Sequence, residues 1–198
     1  MSPAPAILSR ERIVDATIRV LDTLGVDKFS MRRLGAELGV DPMAVYYHFP
    51  TKAALFDAVI DSVWAGLQGW QPAADASWQS VVIDVFNALR RSLLTHPRLV
   101  PVVASRPLAT PYMIGLTDRV LGELNARGLP PASAMRLMDC ALAFTVGKLV
   151  GEVRQPVGGE SSSPEQTFVG LSPQTHPHLV AALMDGYAWQ PDEQFEQG

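Results

Sequence analysis

The chain has 198 residues, of which 47% are apolar and 18% charged, with a formal net charge of −4. That much apolar content can bury a substantial core in one or two domains. The low and slightly acidic charge excludes both a disordered tail and a protein that binds polyanions over its whole surface.

Met1 to Leu8 reads as a flexible arm, without the charged-then-apolar order of a signal peptide. Ser9 can cap a helix running to about Leu24, with Ile13, Ala16, Thr17, Val20, Leu21 and Leu24 in one stripe at helical spacing, and Gly25 ends it. Ser30 can cap a second helix that turns Leu34 and Leu38 inward. Gly39 supplies the left-handed residue of a tight turn, Val40 plugs the corner, and Asp41-Pro42 restarts a helix with a cap and a first-turn proline. Two short helices joined in this way form a helix-turn-helix.

The third helix, roughly Pro42 to His48, is too short to stand alone, so other elements must hold it. Val45 and Phe49 would face the core and leave Pro42, Met43, Ala44, Tyr46, Tyr47 and His48 outward. That face has two tyrosines and a histidine but no acid. Hydroxyl and imidazole groups can bond phosphates, while Met43 and Ala44 can touch thymine methyls. Ser30, Arg32 and Lys52 flank it, the two cations placed to grip the backbone on either side of a groove. Plain packing of Tyr46, Tyr47 and Phe49 is the competing reading for each residue taken singly. Residues 1–60 carry seven Lys/Arg and seven Asp/Glu, and residues 61–198 carry nine and thirteen. Any basic surface must therefore be local, made from Arg10, Arg12, Arg32, Arg33 and Lys52.

The ordered string Leu38-Gly39-Val40, Val45-Tyr46-Tyr47-His48-Phe49, Lys52 and Leu55 resembles the signature of the TetR family of bacterial repressors. The resemblance implies an all-α protein: a three-helix helix-turn-helix head (1–50), a connecting helix (51–68), and a helical-bundle ligand-binding and dimerisation domain (69–198). It also implies a repressor that binds a pseudo-palindromic double-stranded DNA operator as a homodimer and is released by a small molecule. No cofactor is expected. A ligand-independent DNA-binding regulator or architectural protein is the alternative. A helical enzyme would need convergent acid, base or nucleophile groups, and Asp139 and Lys148 do not share a face.

Further along, Thr51 caps a helix to about Leu67 that buries Leu55, Phe56, Val59, Ile60, Val63 and Leu67. A Pro/Ala connector spans Gly69 to Ala76, and Ser77 then caps a helix with Trp78, Val82, Val85, Phe86, Leu89 and Leu93 on one face. His96-Pro97 breaks it. A short helical piece covers Arg98 to Ser105, and Thr110-Pro111 opens a helix to about Arg127, striped by Met113, Leu116, Val120, Leu121 and Leu124. Gly128 closes that helix. Pro130-Pro131 begin the next, from about Ala132 to Arg154. Between Ala134 and Gly151 its charges are Arg136, Asp139 and Lys148 alone, so it needs cover on more than one side. Ala143, Gly147 and Gly151 form a ridge of small residues where a symmetry mate could approach, with a central core helix within one subunit as the alternative. Cys140 in this run permits no internal disulfide or Cys-based metal site and predicts a buried structural thiol.

Residues 155–173 are Gly/Ser/Pro-rich and read as mobile. His176 and His178 flank Pro177 ahead of a helix from Leu179 to about Ala188. With no third ligand in evidence they predict no metal site. No strand alternation and no repeat is visible, and no uncharged apolar stretch approaches membrane length, which points to the cytoplasm and to no membrane partner.

Weaker similarity to the tetracycline repressor subgroup rests on Ser77-Trp78-Gln79-Ser80, Arg90-Arg91 and Arg106-Pro107. In that subgroup the helix matching Ala132 to Arg154 pairs with a final helix in a four-helix dimer bundle, and here that helix should begin near Phe195. The polar drug-site residues of the subgroup correspond to Val85, Leu89, Val103, Ser105 and Asp118, and Val103 replaces the histidine that binds drug-chelated magnesium. Tetracycline is therefore a poor fit. An apolar or aromatic effector suits a cavity lined by Trp64, Phe86, Leu89, Val103, Met113, Met138 and Phe144, each of which ordinary core packing would also explain.

Overall fold

A computed structural model describes residues 7–106, 110–153, 168, 170–187, 190, 192 and 195. It forms two compact units, residues 1–150 and 151–198. All regular structure among the described residues is helical: α1 (Arg10–Leu24), α2 (Met31–Leu38), α3 (Pro42–His48), α4 (Lys52–Ala65), α5 (Trp78–Leu94), a 3-10 turn (Pro97–Leu99), α6 (Val100–Ala104), α7 (Pro111–Ala126), α8 (Pro131–Val153) and α9 (Pro177–Met184).

The helix starts follow from short polar side chains. The Ser9, Ser30, Thr51 and Ser77 hydroxyls accept from the backbone N–H groups of Arg12, Arg33, Ala54 and Ser80 at 3.0–3.2 Å, and Asp41 Oδ1 accepts from Met43 N–H at 2.8 Å. Each such cap satisfies a donor that the helix cannot, a contribution of about 1 kcal/mol.

In the first unit α1 packs on α2 and α4, and α2 on α3. Ile13, Ala16, Thr17, Val20 and Leu21 of α1 meet Leu34 and Leu38 of α2 in one buried core. Thr17 is buried without penalty because its hydroxyl donates to the Ile13 carbonyl at 2.8 Å. The α4 stripe of Leu55, Phe56, Val59, Ile60 and Val63 is buried throughout, and α4 also packs on α5, α6 and α7. It thus contributes to the head and to the helices beyond it.

Several boundaries and faces differ from expectation. Helix α4 ends at Ala65 and Leu67 is buried in the turn that follows. On α5 the buried residue is Val81, not Val82, because the stripe Val81-Val85-Leu89-Leu93 runs at a strict spacing of four. The piece after His96-Pro97 begins as a 3-10 turn before α6. Cys140 is exposed rather than buried: the buried side of α8 carries Ala134, Thr145 and Leu149, and Cys140 lies away from it.

The second unit contains the last residues of α8, a turn in which Ser172 O accepts from the N–H groups of Thr175 and His176, and α9, which starts at Pro177 and stops at Met184 short of the expected Ala188. Most of the Gly/Ser/Pro-rich segment, the first six residues, Arg154 and most of the tail lie outside the described residues.

Leu21 is fully buried between α1 and its neighbours. Leu21→Ala should lower unfolding free energy by roughly 2–5 kcal/mol, measured by urea titration of the far-ultraviolet circular dichroism signal.

Candidate nucleic-acid interface

The interface is built by the turn between α2 and α3. Gly39 sits at φ 69° and ψ 32°, left-handed and open to glycine, and the Val40 N–H donates to the Gly35 carbonyl at 2.9 Å. Gly35 lies inside α2, where glycine costs about 1 kcal/mol against alanine. The cause is close approach: a Cβ there would stand 2.9 Å from the Val40 carbonyl oxygen and 3.2 Å from the Pro42 nitrogen. Sequence reasoning missed this residue, although a glycine interrupting a strong helical pattern was the available signal.

Helix α3 is held as anticipated by Val45 and Phe49, both fully buried. Its other face is open. Tyr47 is 87% exposed, Met43 71% and Tyr46 38%, while Pro42, Ala44 and His48 are half-buried. The Tyr47 and His48 rings meet edge to face at 5.6 Å. Asp41, the acid at the start of α3, is occupied in capping.

The cations around the face divide by role. The Arg10 guanidinium lies 4.0 Å over the Phe49 ring and donates to the His48 carbonyl, closing the C-terminal end of α3. Arg33 donates to the Lys28 carbonyl at 2.7 Å. Lys52 Nζ lies 5.1 Å from both the Phe29 and Phe56 ring centres and 3.5 Å from the Phe29 carbonyl, so it is partly engaged by the head itself. Arg32 is exposed and, among the described residues, makes no side-chain hydrogen bond or ion pair. Ser30 accepts the α2 cap bond at 3.2 Å. On the exposed first turn of α1, the Glu11 carboxyl is held below its ordinary pKa by its backbone hydrogen bond and then by Ser9.

The same unit holds a cavity of about 100 Å³ between α4, α5, α7 and α8. Five of the expected residues line it: Trp64, Phe86, Leu89, Met113 and Met138. They are joined by Val85 and by residues not anticipated, including Leu67, Thr117, Met135, Asp139 and Leu142. Val103 and Phe144 do not belong to it. Val103 is packed into the core from α6, and Phe144, two positions past Leu142 on α8, points to the opposite side and is exposed. Ala143, Gly147 and Gly151 are also exposed, with open space where a Cβ on either glycine would sit. His176 is exposed, its Nδ1 2.9 Å from the Thr175 hydroxyl, and no group of three metal-ligating side chains occurs among the described residues. None of their helices is long and apolar enough to cross a membrane.

Residues 13–59 match the family described as bacterial regulatory proteins, tetR family, and residues 71–198 match the tetracyclin repressor-like C-terminal domain. The chain belongs to the TetR family. A Saccharopolyspora erythraea HTH-type transcriptional regulator is 29% identical over 74% of this chain and 61% of its own length. The transcriptional repressor DrrR1 of Streptomyces coeruleorubidus is 30% identical over 77% of this chain and 56% of its own length. The chain thus spans about three fifths of these two relatives. Among solved structures, the TetR family protein ActR of Streptomyces coelicolor in complex with (S)-DNPA superposes with a TM-score of 0.80 at 26% identity, covering 98% of this chain and 94% of that one. BioQ with its double-stranded DNA operator gives 0.64 at 26% identity, covering 74% and 88%. The first two relatives are named as a transcriptional regulator and a transcriptional repressor, and the family is one of regulatory proteins, not of enzymes.

In this TetR chain Gly35→Ala should force α2 and α3 apart. A lower melting temperature for the variant, together with weaker DNA binding, is the expected outcome in parallel calorimetric and anisotropy measurements.

Proposed function

We propose that this TetR-family chain is a ligand-responsive transcriptional repressor that acts in the cytoplasm as a homodimer on a pseudo-palindromic operator. Residues 1–50 form the DNA-binding head, 51–68 the connecting helix and 69–198 the effector-binding and dimerisation part. One observation carries the reading: an acid-free, tyrosine-bearing face on α3 belongs to the same helical frame as a cavity whose wall includes α4. The likeness to BioQ, a protein solved with its operator, supports the DNA partner, and the likeness to ActR, solved with a small molecule, supports an effector.

In this mechanism Tyr46, Tyr47 and His48 bond phosphates or base edges, Met43, Ala44 and Pro42 give apolar contact in the groove, and Ser30, Arg32 and Lys52 anchor the flanking backbone. Two copies, joined through a face containing Ala143, Gly147 and Gly151, would present their α3 helices to half-sites about 34 Å apart or a multiple of that. The effector must bind the DNA-incompetent arrangement more tightly, because only a difference in affinity can shift the equilibrium. It occupies the cavity beside Trp64, Phe86, Leu89, Met113 and Met138.

Ties between the effector side and the head give the route. Arg106 donates through Nε and Nη2 to Asp57 Oδ1 of α4 at 2.8 and 2.6 Å, and the Thr110 hydroxyl donates to Asp61. His96 Nδ1 lies 2.7 Å from Asp22 of α1, and Arg98 donates to the Thr23 carbonyl.

Selection of duplexes from a random pool at physiological salt should enrich a palindrome, bound roughly a thousandfold more tightly than scrambled duplex; failure to enrich any sequence sinks the proposal. Tyr47→Ala should weaken operator binding at least several-fold with an unchanged melting temperature, since its ring is exposed. Asp57→Ala should leave operator affinity nearly intact while reducing its response to a ligand, read as a smaller ligand-induced loss of anisotropy.

A further inference from the structure

The cavity wall combines an apolar lining with two polar groups that find no partner among the described residues, one buried and one exposed. Trp64 is 2% exposed and its indole N–H is buried with no hydrogen-bond partner. A buried donor left unmatched is costly, and a cavity beside it can supply the missing acceptor. The second group is Asp139, the sole ionisable side chain on the wall. Among the described residues it makes no ion pair and no side-chain hydrogen bond, and the basic residue one turn away, Arg136, reaches instead to the Ser133 hydroxyl at 3.3 Å. The same wall includes the aromatic residues Trp64 and Phe86 and the methionines Met113, Met135 and Met138.

We infer that this cavity takes a lipophilic amine: an apolar body whose protonated nitrogen pairs with Asp139 and which carries an acceptor for the Trp64 indole N–H. The inference rests on the effector-site reading given above and specifies the chemistry of that site. A carboxylate on a wall without a cation repels anions and favours a positive charge. Aromatic faces and polarisable sulfur accept that charge where an aliphatic wall would not. The methionines also let the site reshape, which a cavity of about 100 Å³ requires, since drug-sized ligands fill several hundred.

The test uses the full chain and three matched probes, each with a ring methoxy oxygen as acceptor for the Trp64 indole N–H: (4-methoxy-1-naphthyl)methylamine, (4-methoxy-1-naphthyl)methanol and 4-methoxy-1-naphthoate, titrated calorimetrically at neutral pH. The amine should bind about five- to tenfold more tightly than the alcohol, as expected of a partly shielded ion pair on an aromatic wall, and the carboxylate most weakly. Asp139→Asn, isosteric and on an exposed residue, should remove the advantage of the amine and leave the alcohol unchanged. Leu142→Trp, which fills the cavity from a half-buried position, should abolish binding of all probes. Equal binding of amine and alcohol, still blocked by Leu142→Trp, overturns the amine assignment and leaves the effector site standing. Binding of no probe, or binding indifferent to Leu142→Trp, overturns both.

Discussion

A seven-residue helix has no stability of its own in water, so α3 keeps its place through what its neighbours do to two side chains. Val45 and Phe49 are fully buried, and the rest of the helix is free to face outward. Phe49 is covered on one ring face by Arg10, which also bonds the His48 carbonyl, so a single cation from α1 fixes both the anchor and the end of the helix. The close contact at Gly35 sets the distance of α3 from α2. Position, angle and end of α3 are thus all decided by residues that do not lie on its outward face.

Helix α4 carries the same logic further. Its N-terminal turns bury Leu55 and Phe56 in the head, where Phe56 packs on Phe29 with ring centres 5.2 Å apart. Its last turn places Trp64 on the cavity wall. A rigid helix with one end in each core cannot tilt in one without disturbing the other, because close-packed interiors change by discrete rearrangement and not by gradual deformation.

What could be read from the sequence was whatever local chemistry decides. Five capping residues, the left-handed Gly39 and the α1 and α4 stripes all depend on spacings of four residues or fewer. Val45 and Phe49 were legible for the same reason. Long-range proximity was not. Gly35 looks like a weak point in a helix until the Val40 carbonyl is placed against it, and the tie from Arg106 to Asp57 joins residues 49 apart. The cavity shows the division well: its apolar members could be guessed as a set, but Phe144 and Leu142, two apart on α8, fall on opposite sides, and only the direction in which that helix faces tells them apart. Cys140 failed by the same route, since an apolar neighbourhood in sequence is not a buried one in space.

The ties between the cavity side and the head are of a strength suited to switching. Arg106–Asp57 and His96–Asp22 are each partly exposed, and pairs of that kind contribute about 0–1 kcal/mol apiece. Allosteric couplings amount to about 1–3 kcal/mol, comparable to a few such contacts and far below the cost of disrupting the α4 stripe. A ligand that widens a cavity of about 100 Å³ must displace Trp64, Leu67 or their partners on α5, α7 and α8. In the proposed switch the apolar stripe of α4 would move as a unit, because separating its residues would open voids, while the polar ties would exchange one partner or solvent for another. Rigidity in the hydrophobic stripe and cheap exchange in the polar contacts are both needed. A strong buried ion pair at Asp57 would lock the head, and a loosely packed α4 would absorb the displacement before it reached Val45 and Phe49.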